Sequence, residues 1–382
     1  MMRIAEREAR RTRRRLAREK TVAGMSHHDG MSSDDEETPS RVATHASEKA
    51  TVCENADKIF VDTLEDFCEI SEICDRFADW LRHDESSFNE AYIGACFVKV
   101  LKPLVRVQLI DWNPFDDSCR PFEEMQWYQD CLLFTASYQQ DVKSSRLEEN
   151  EAVYNLIPEL VEKVICPKLT AFVEKVWDAT SFSQTQRLAV RLKNMVETFP
   201  TLDTDSKPIQ ILLGAIQMKA EETCKESVFL PVNLMMNKSS ETKSSGAKAF
   251  YDRQFWSAIK IMVNLAELVG ILSVDTVQSL VLDGVLNRHL VIALQCDDVN
   301  DPQIVPRVKA IANAIPSEWI GKKNIKPMPL LEPFCKIVSR IAENHWNEIR
   351  NRDSLKELHR ILIKMGARKM GEDLANTVCV RL

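Results

Sequence analysis

From about residue 56 to the C-terminus, apolar positions recur every three to four residues, and no segment sustains a period-two alternation. In ADKIFVDTLEDFCEISEICDRFADWL, the residues Phe60, Leu64, Phe67, Cys74, Phe77 and Leu81 fall at helical spacing and predict one apolar face about seven turns long. SFNEAYIGACFVKVLKP opens with a capping-box pattern, Ser87 with Glu90, and meets Pro103, which is expected to bend or break the helix. A second box, Ser183 with Gln186, opens SQTQRLAVRLKNMVETF, and Asp275 is placed to cap TVQSLVLDGVLNRHLVIALQ. The same period continues in PFEEMQWYQDCLLF, NLIPELVEKVICPKLTAFVEKVW, YDRQFWSAIKIMVNLAELVGIL, PFCKIVSRIAENHWNEI and SLKELHRILIKMGARKMGEDLANTV. The prediction is an all-α array of about ten or more antiparallel helices with short connections, helical-repeat-like but irregular.

The pattern changes upstream. Over residues 21–55 large apolar residues are sparse and Ser, Thr, Asp and Glu dominate, the composition of a disordered acidic linker. Over residues 1–20, Ala5, Ala9, Thr12 and Leu16 follow a 4-3-4 spacing, a helix with a seam too thin to hold a core. Three zones result: a basic charged helix at 1–20, the linker at 21–55, and a helical domain at 56–382. Within the linker, MSSDDEE sets acids three residues after Ser32 and Ser33, the pattern acidophilic kinases favour.

Charge sharpens this division. The formal net charge is -7, yet the first twenty residues carry nine basic and three acidic side chains. The next twenty carry five acids and no Lys or Arg. The helical body is mildly acidic, so phosphate attraction is concentrated in Arg10, Arg11, Arg13, Arg14, Arg15, Arg18 and Lys20. The 11 cysteines form no CxxC pair, and Cys68, Cys74, Cys96, Cys131 and Cys166 stand at apolar positions, as reduced core residues do. No secretory segment is recognisable and no membrane span is expected.

Chemistry-bearing motifs are absent from the sequence. With 10 glycines and neither GxGxxG nor GxxxxGK[ST], no phosphate-cradling loop is expected. GxSxG and HExxH are likewise missing. His27 and His28 lie in the linker without metal-spaced partners and are expected to be solvated, while His289 and His345 read as satisfied or partly exposed helix residues. Arg106, Arg253 and Arg288, each set among apolar residues, are expected to cap helices or pair with buried carboxylates; their convergence on a partner groove is the alternative. Trp256 in DRQFWS is expected in the core. No catalysis, metal or cofactor is expected.

Several strings together resemble a known family. IAEREARRTRRRLARE with SSDDEE, EAYIGACFVKVLKPLVRVQLIDWNPFD, CRPFEEMQWYQDCLLF, LIPELVEKVICPKLT, WDATSFSQTQRL, RQFWSAIKIMVNL and LDGVLNRH are similar to the C-terminal half of the GC-rich sequence DNA-binding factor-like family, nearest its Pax-binding adaptor branch. The likeness runs from Arg3 to about Trp319. It implies a nuclear protein acting in late or lariat splicing complexes, or as an adaptor between Pax-type transcription factors and histone methylation machinery. The chain is then expected to be a fragment or late-start version of a longer protein. At Ala179 in WDATS the relatives tend to carry proline, and no G-patch is present for helicase recruitment.

Physical magnitudes limit what the basic stretch does. If its net charge of about +6 all met phosphates, the counterion-release slope would be roughly -5, with non-specific affinity near 10⁻⁴–10⁻⁶ M at physiological salt. Such binding specifies no site. The stretch is expected to serve nuclear targeting and weak, non-specific RNA or DNA contact, with the helical body as a scaffold for splicing-associated proteins. A direct DNA- or RNA-binding factor is the alternative reading.

Overall fold

The computed structural model describes residues 39–116, 118–144, 149–199, 205–231, 245–298, 301–320, 327–348 and 351–378, with Thr12, Leu16, His28, Gly30, Met31 and Leu147. These residues build an all-α protein; an isolated bridge between Val269 and Leu272 is the only extended pairing among them. The chain forms two compact units, Glu36–Trp177 with Arg187–Ile216, and Met1–Asp35 with Asp178–Gln186 and Gln217–Leu382.

The first unit begins with α1 (Pro39–Asp57), α2 (Glu65–Cys68), α3 (Ile70–His83), α4 (Glu85–Glu90), α5 (Ile93–Gln108), α6 (Gln126–Lys143) and α7 (Glu151–Tyr154). A continuous run follows, α8 (Leu156–Leu160), a π-helical turn at Val161–Ile165 and α9 (Cys166–Lys175). Two of the unit boundaries fall inside α10 (Phe182–Thr198) and α11 (Lys207–Glu226). Helix α1 lies partly within the stretch read as linker, and Pro39 suits a first helical position because its missing N–H would be unpaired there.

The predicted seven-turn face is not one helix. Leu64 and Glu69 take extended backbone conformations, so the chain breaks before α2 and again before α3. Cys74 and Leu81 are buried as expected, whereas Leu64 and Phe67 face solvent. The Ser87–Glu90 box is also replaced: Asp84 caps α4 by accepting a hydrogen bond from the Ser87 amide at 3.0 Å. Helix α4 ends at Glu90, and Tyr92, the residue before α5, sits in the left-handed region with φ 54°. Pro103 does not end α5, which runs on to Gln108; Pro103 is exposed, where water satisfies the carbonyl its missing N–H leaves unbonded.

The first core is rich in aromatics. Phe97 meets Phe134 edge-on at 5.1 Å and Phe77 at 4.5 Å, joining α3, α5 and α6. Arg82 on α3 pins α6 through Asp141 at 2.9 Å and Ser137 at 2.7 Å. After α5, the WNPFD turn puts its carbonyls where no helix can bond them. Arginines of α10 take them instead: Arg187 donates to Phe115 O at 2.5 Å, and Arg191 to Pro114 O and Cys119 O, each at 3.0 Å. Lys168 donates to Leu109 O, and its burial lowers its pKa. Helix α10 starts at Phe182, so Ser183 lies inside it rather than at its cap.

In the second unit, α12 (Ser245–Ala266) packs against a run of α13 (Val274–Gln278), a π-helical segment Ser279–Leu290 and α14 (Val291–Cys296). Ser273, not Asp275, caps α13, accepting from the Thr276 amide at 3.2 Å. The run Val274–Cys296 is long and apolar enough to cross a membrane by length and composition alone. It behaves as a core helix here, with Val281, Leu282, Val285, Leu286 and Leu290 buried. Helix α15 (Ile304–Ala314) packs on α17 (Arg352–Lys364), which joins α16 (Glu332–Glu348) and α18 (Arg368–Val378) in the last cluster. The single helix predicted over the C-terminal string breaks at Gly366, whose φ of 77° admits a glycine readily and lets Ala367 N reach Leu362 O.

Candidate interaction surfaces

The sequence-predicted site residues Arg10, Arg11, Arg13, Arg14, Arg15, Arg18, Lys20, Ser32 and Ser33 lie outside the described residues. His28 is described and is not solvated: its ring stacks on Trp256, which is buried as expected. His345 is buried, and neither ring nitrogen has a hydrogen-bond partner among the described residues, against the expectation of a satisfied or exposed histidine.

The three arginines singled out from the sequence are not buried ion pairs. Arg106 is exposed on α5, Arg253 lies 6.0 Å over the Phe250 ring, and Arg288 pairs at the surface with Asp283 at 2.8 Å. The most deeply buried cation among the described residues is Arg307 on α15, 1% exposed. It binds Asp297 at 2.7 Å and Asp252 on α12, and lies over the rings of Tyr251 at 5.5 Å and Phe255 at 5.1 Å. Burial alone would lower its pKa, but Asp297 and Asp252 hold it above the ordinary value. Tyr251 completes the network by donating to Asp297 at 2.8 Å. This network joins α12, α14 and α15 and is closed to ligands, so its role is structural.

A cleft of about 540 Å³ opens in the second unit over the π-helical segment, with Glu221, Cys224, Lys225, Asp283, Arg288 and His289 on its walls. Burial pushes the Cys224 thiol up to about 11, and the thiol donates to Leu280 O at 3.7 Å, so it is neutral and engaged at pH 7. Burial and the neighbouring Arg288 lower the His289 pKa, keeping that ring neutral as well. Acids and bases are interleaved, and no thiolate or base is paired for catalysis. Among the described residues no three His, Cys, Asp or Glu side chains cluster to hold a metal.

The first unit carries a different kind of surface. Four large apolar side chains between residues 59 and 67 face solvent: Ile59 at 49%, Val61 at 78%, Leu64 at 70% and Phe67 at 66% exposure. Just before them, α1 is exposed along nearly its whole length, with Ala56 its only buried residue. Val42, Ala46, Cys53 and Ala56 share one face of α1, so a thin apolar seam leads into the exposed strip. An exposed 19-residue helix of low apolar content gains little from its own fold, and the strip beside it leaves apolar surface open to contact.

Comparison with known proteins agrees with the family read from the motif order. Residues 70–290 match the family described as GC-rich sequence DNA-binding factor-like protein. The chain belongs to that family. Among relatives in it, PAX3- and PAX7-binding protein 1 of Mus musculus is 36% identical over 376 residues, covering 96% of this chain and 40% of that protein. Intron Large complex component GCFC2 of Mus musculus is 34% identical, covering 97% of this chain and 47% of the relative. A more distant family relative, Transcriptional repressor ILP1 of Arabidopsis thaliana, is 24% identical over 80% of this chain. The chain thus spans less than half the length of these family members.

Proposed function

We propose that the chain is a non-enzymatic nuclear scaffold, serving pre-mRNA splicing complexes and transcription regulation through protein partners. The observation that carries this reading is the exposed apolar strip from Ile59 to Phe67, beside a solvent-exposed helix. The relatives point the same way, one named as an Intron Large complex component, one as a PAX3- and PAX7-binding protein and one as a transcriptional repressor. The partners in this reading are splicing-associated proteins, with Pax-type factors and histone methylation machinery for the transcriptional arm. Arg10, Arg11, Arg13, Arg14, Arg15, Arg18 and Lys20 serve nuclear targeting and weak RNA or DNA contact, and Ser32 and Ser33 are kinase sites. The acidic body and the interleaved charges of the cleft favour this over a phosphate-binding groove.

A double substitution tests it. Val61→Asp with Phe67→Asp places two charges on side chains already in water, so the melting temperature should change little. Recovery of splicing-complex proteins from nuclear extract is expected to fall at least tenfold. Unchanged recovery by the folded variant would remove the strip from the account.

A further inference from the structure

Trp256 owes part of its burial to a segment far away in sequence. The ring of His28 lies parallel to its indole, with centroids 3.7 Å apart and planes inclined by 9°. Met31 N donates to His28 O at 3.2 Å, closing a four-residue turn. Gly30, third in that turn, has φ +102°, a conformation that side chains rarely adopt. Its backbone rests on α12 itself: a Cβ there would lie 2.2 Å from Arg253 O and 3.1 Å from Ser257 N. Arg253, Trp256 and Ser257 stand at i, i+3 and i+4, so they form one helix face, and the turn lies flat on it. The seat therefore reads two features at once: a planar ring on the indole and a residue without a side chain on the helix backbone.

We propose that this face of α12 is a binding site for a His-x-Gly-Met turn, and that its occupant is the chain's own His28–Met31. A turn of four residues gains little against the cost of ordering a segment, so the seat is reversible. When the turn leaves, Trp256 is uncovered. This inference is independent of the splicing reading.

A labelled peptide spanning residues 24–34 tests it on the full chain. Gly30→Val in the chain prevents its own turn from seating while altering no helix of the body. That variant is expected to keep its melting temperature and to bind the peptide at least tenfold more tightly than the wild-type chain, whose seat is filled. A peptide carrying the same Gly30→Val change is expected to bind neither chain. Equal, weak peptide binding by both chains would show that no such site exists. Equal, tight binding would show that the site is real but not filled by its own turn. Concentration-dependent dimers of the wild type that vanish with Gly30→Val would assign the turn to a second copy and overturn the intramolecular seat.

Discussion

Arg307 differs from the other described arginines of the helical body by how deeply it is buried. At 1% exposure it is held by Asp297, Asp252 and two ring faces. Arg307→Ala leaves Asp297 buried without its cation and is expected to cost about 3–5 kcal/mol of stability. Arg106→Ala, at an exposed position, is expected to stay within about 0.5 kcal/mol. Denaturant unfolding of the two variants checks the contrast. Sequence reasoning missed Arg307 because IVPRVKAIANAI shows only basic residues set in an apolar helix, as the strings around Arg106, Arg253 and Arg288 also do. Its partners lie 10 and 55 residues upstream, at distances no local pattern reports. His28 was missed for a related reason: linker composition predicts average solvation and says nothing about a single ring that finds an indole.

His289 adds a pH dependence at the same scale. Its folded pKa lies below the ordinary 6.5, so the unfolded chain takes up its proton first as pH falls. The stabilising contribution is present above about pH 6.5 and is lost as pH drops through the folded value. His289→Asn is expected to flatten the fall in melting temperature between pH 7 and pH 5. An unchanged slope in the variant would show that the ring titrates as it does in water.

Among the elements, helices were legible and their ends were not. Apolar spacing located nearly every helix, because burial of one face repeats every turn. Caps depend on which of several neighbouring polar residues reaches the first turn, and Asp84 and Ser273 prevailed over Ser87 and Asp275. The π-helical segments carry no distinguishing signal, since an extra residue per turn preserves the apolar run. The clamp on the WNPFD turn lay unread in two arginines of SQTQRLAVRLKN, 72 to 77 residues away. Arg191→Ala removes the donors of Pro114 O and Cys119 O and is expected to cost about 2 kcal/mol, read by chemical unfolding. A cost under about 0.5 kcal/mol would mean that water replaces the guanidinium freely.

For the whole molecule, apolar spacing and motif order established the all-α class and the family, while the two compact units have no marker in the sequence where their boundaries fall inside α10 and α11. The exposed apolar strip was legible as apolar residues but on the wrong side: the spacing of Leu64 and Phe67 predicted a core face, and two extended residues turned it outward. The central claim is that the helical body binds proteins and the basic stretch is auxiliary. Affinity purification of the full chain from nuclear extract in about 200 mM salt, with and without nuclease, measures this directly, since apolar contacts are little screened and phosphate contacts strongly so. The account expects the same splicing-associated proteins in both samples. Their loss on nuclease treatment would contradict it and make the chain a nucleic-acid binder.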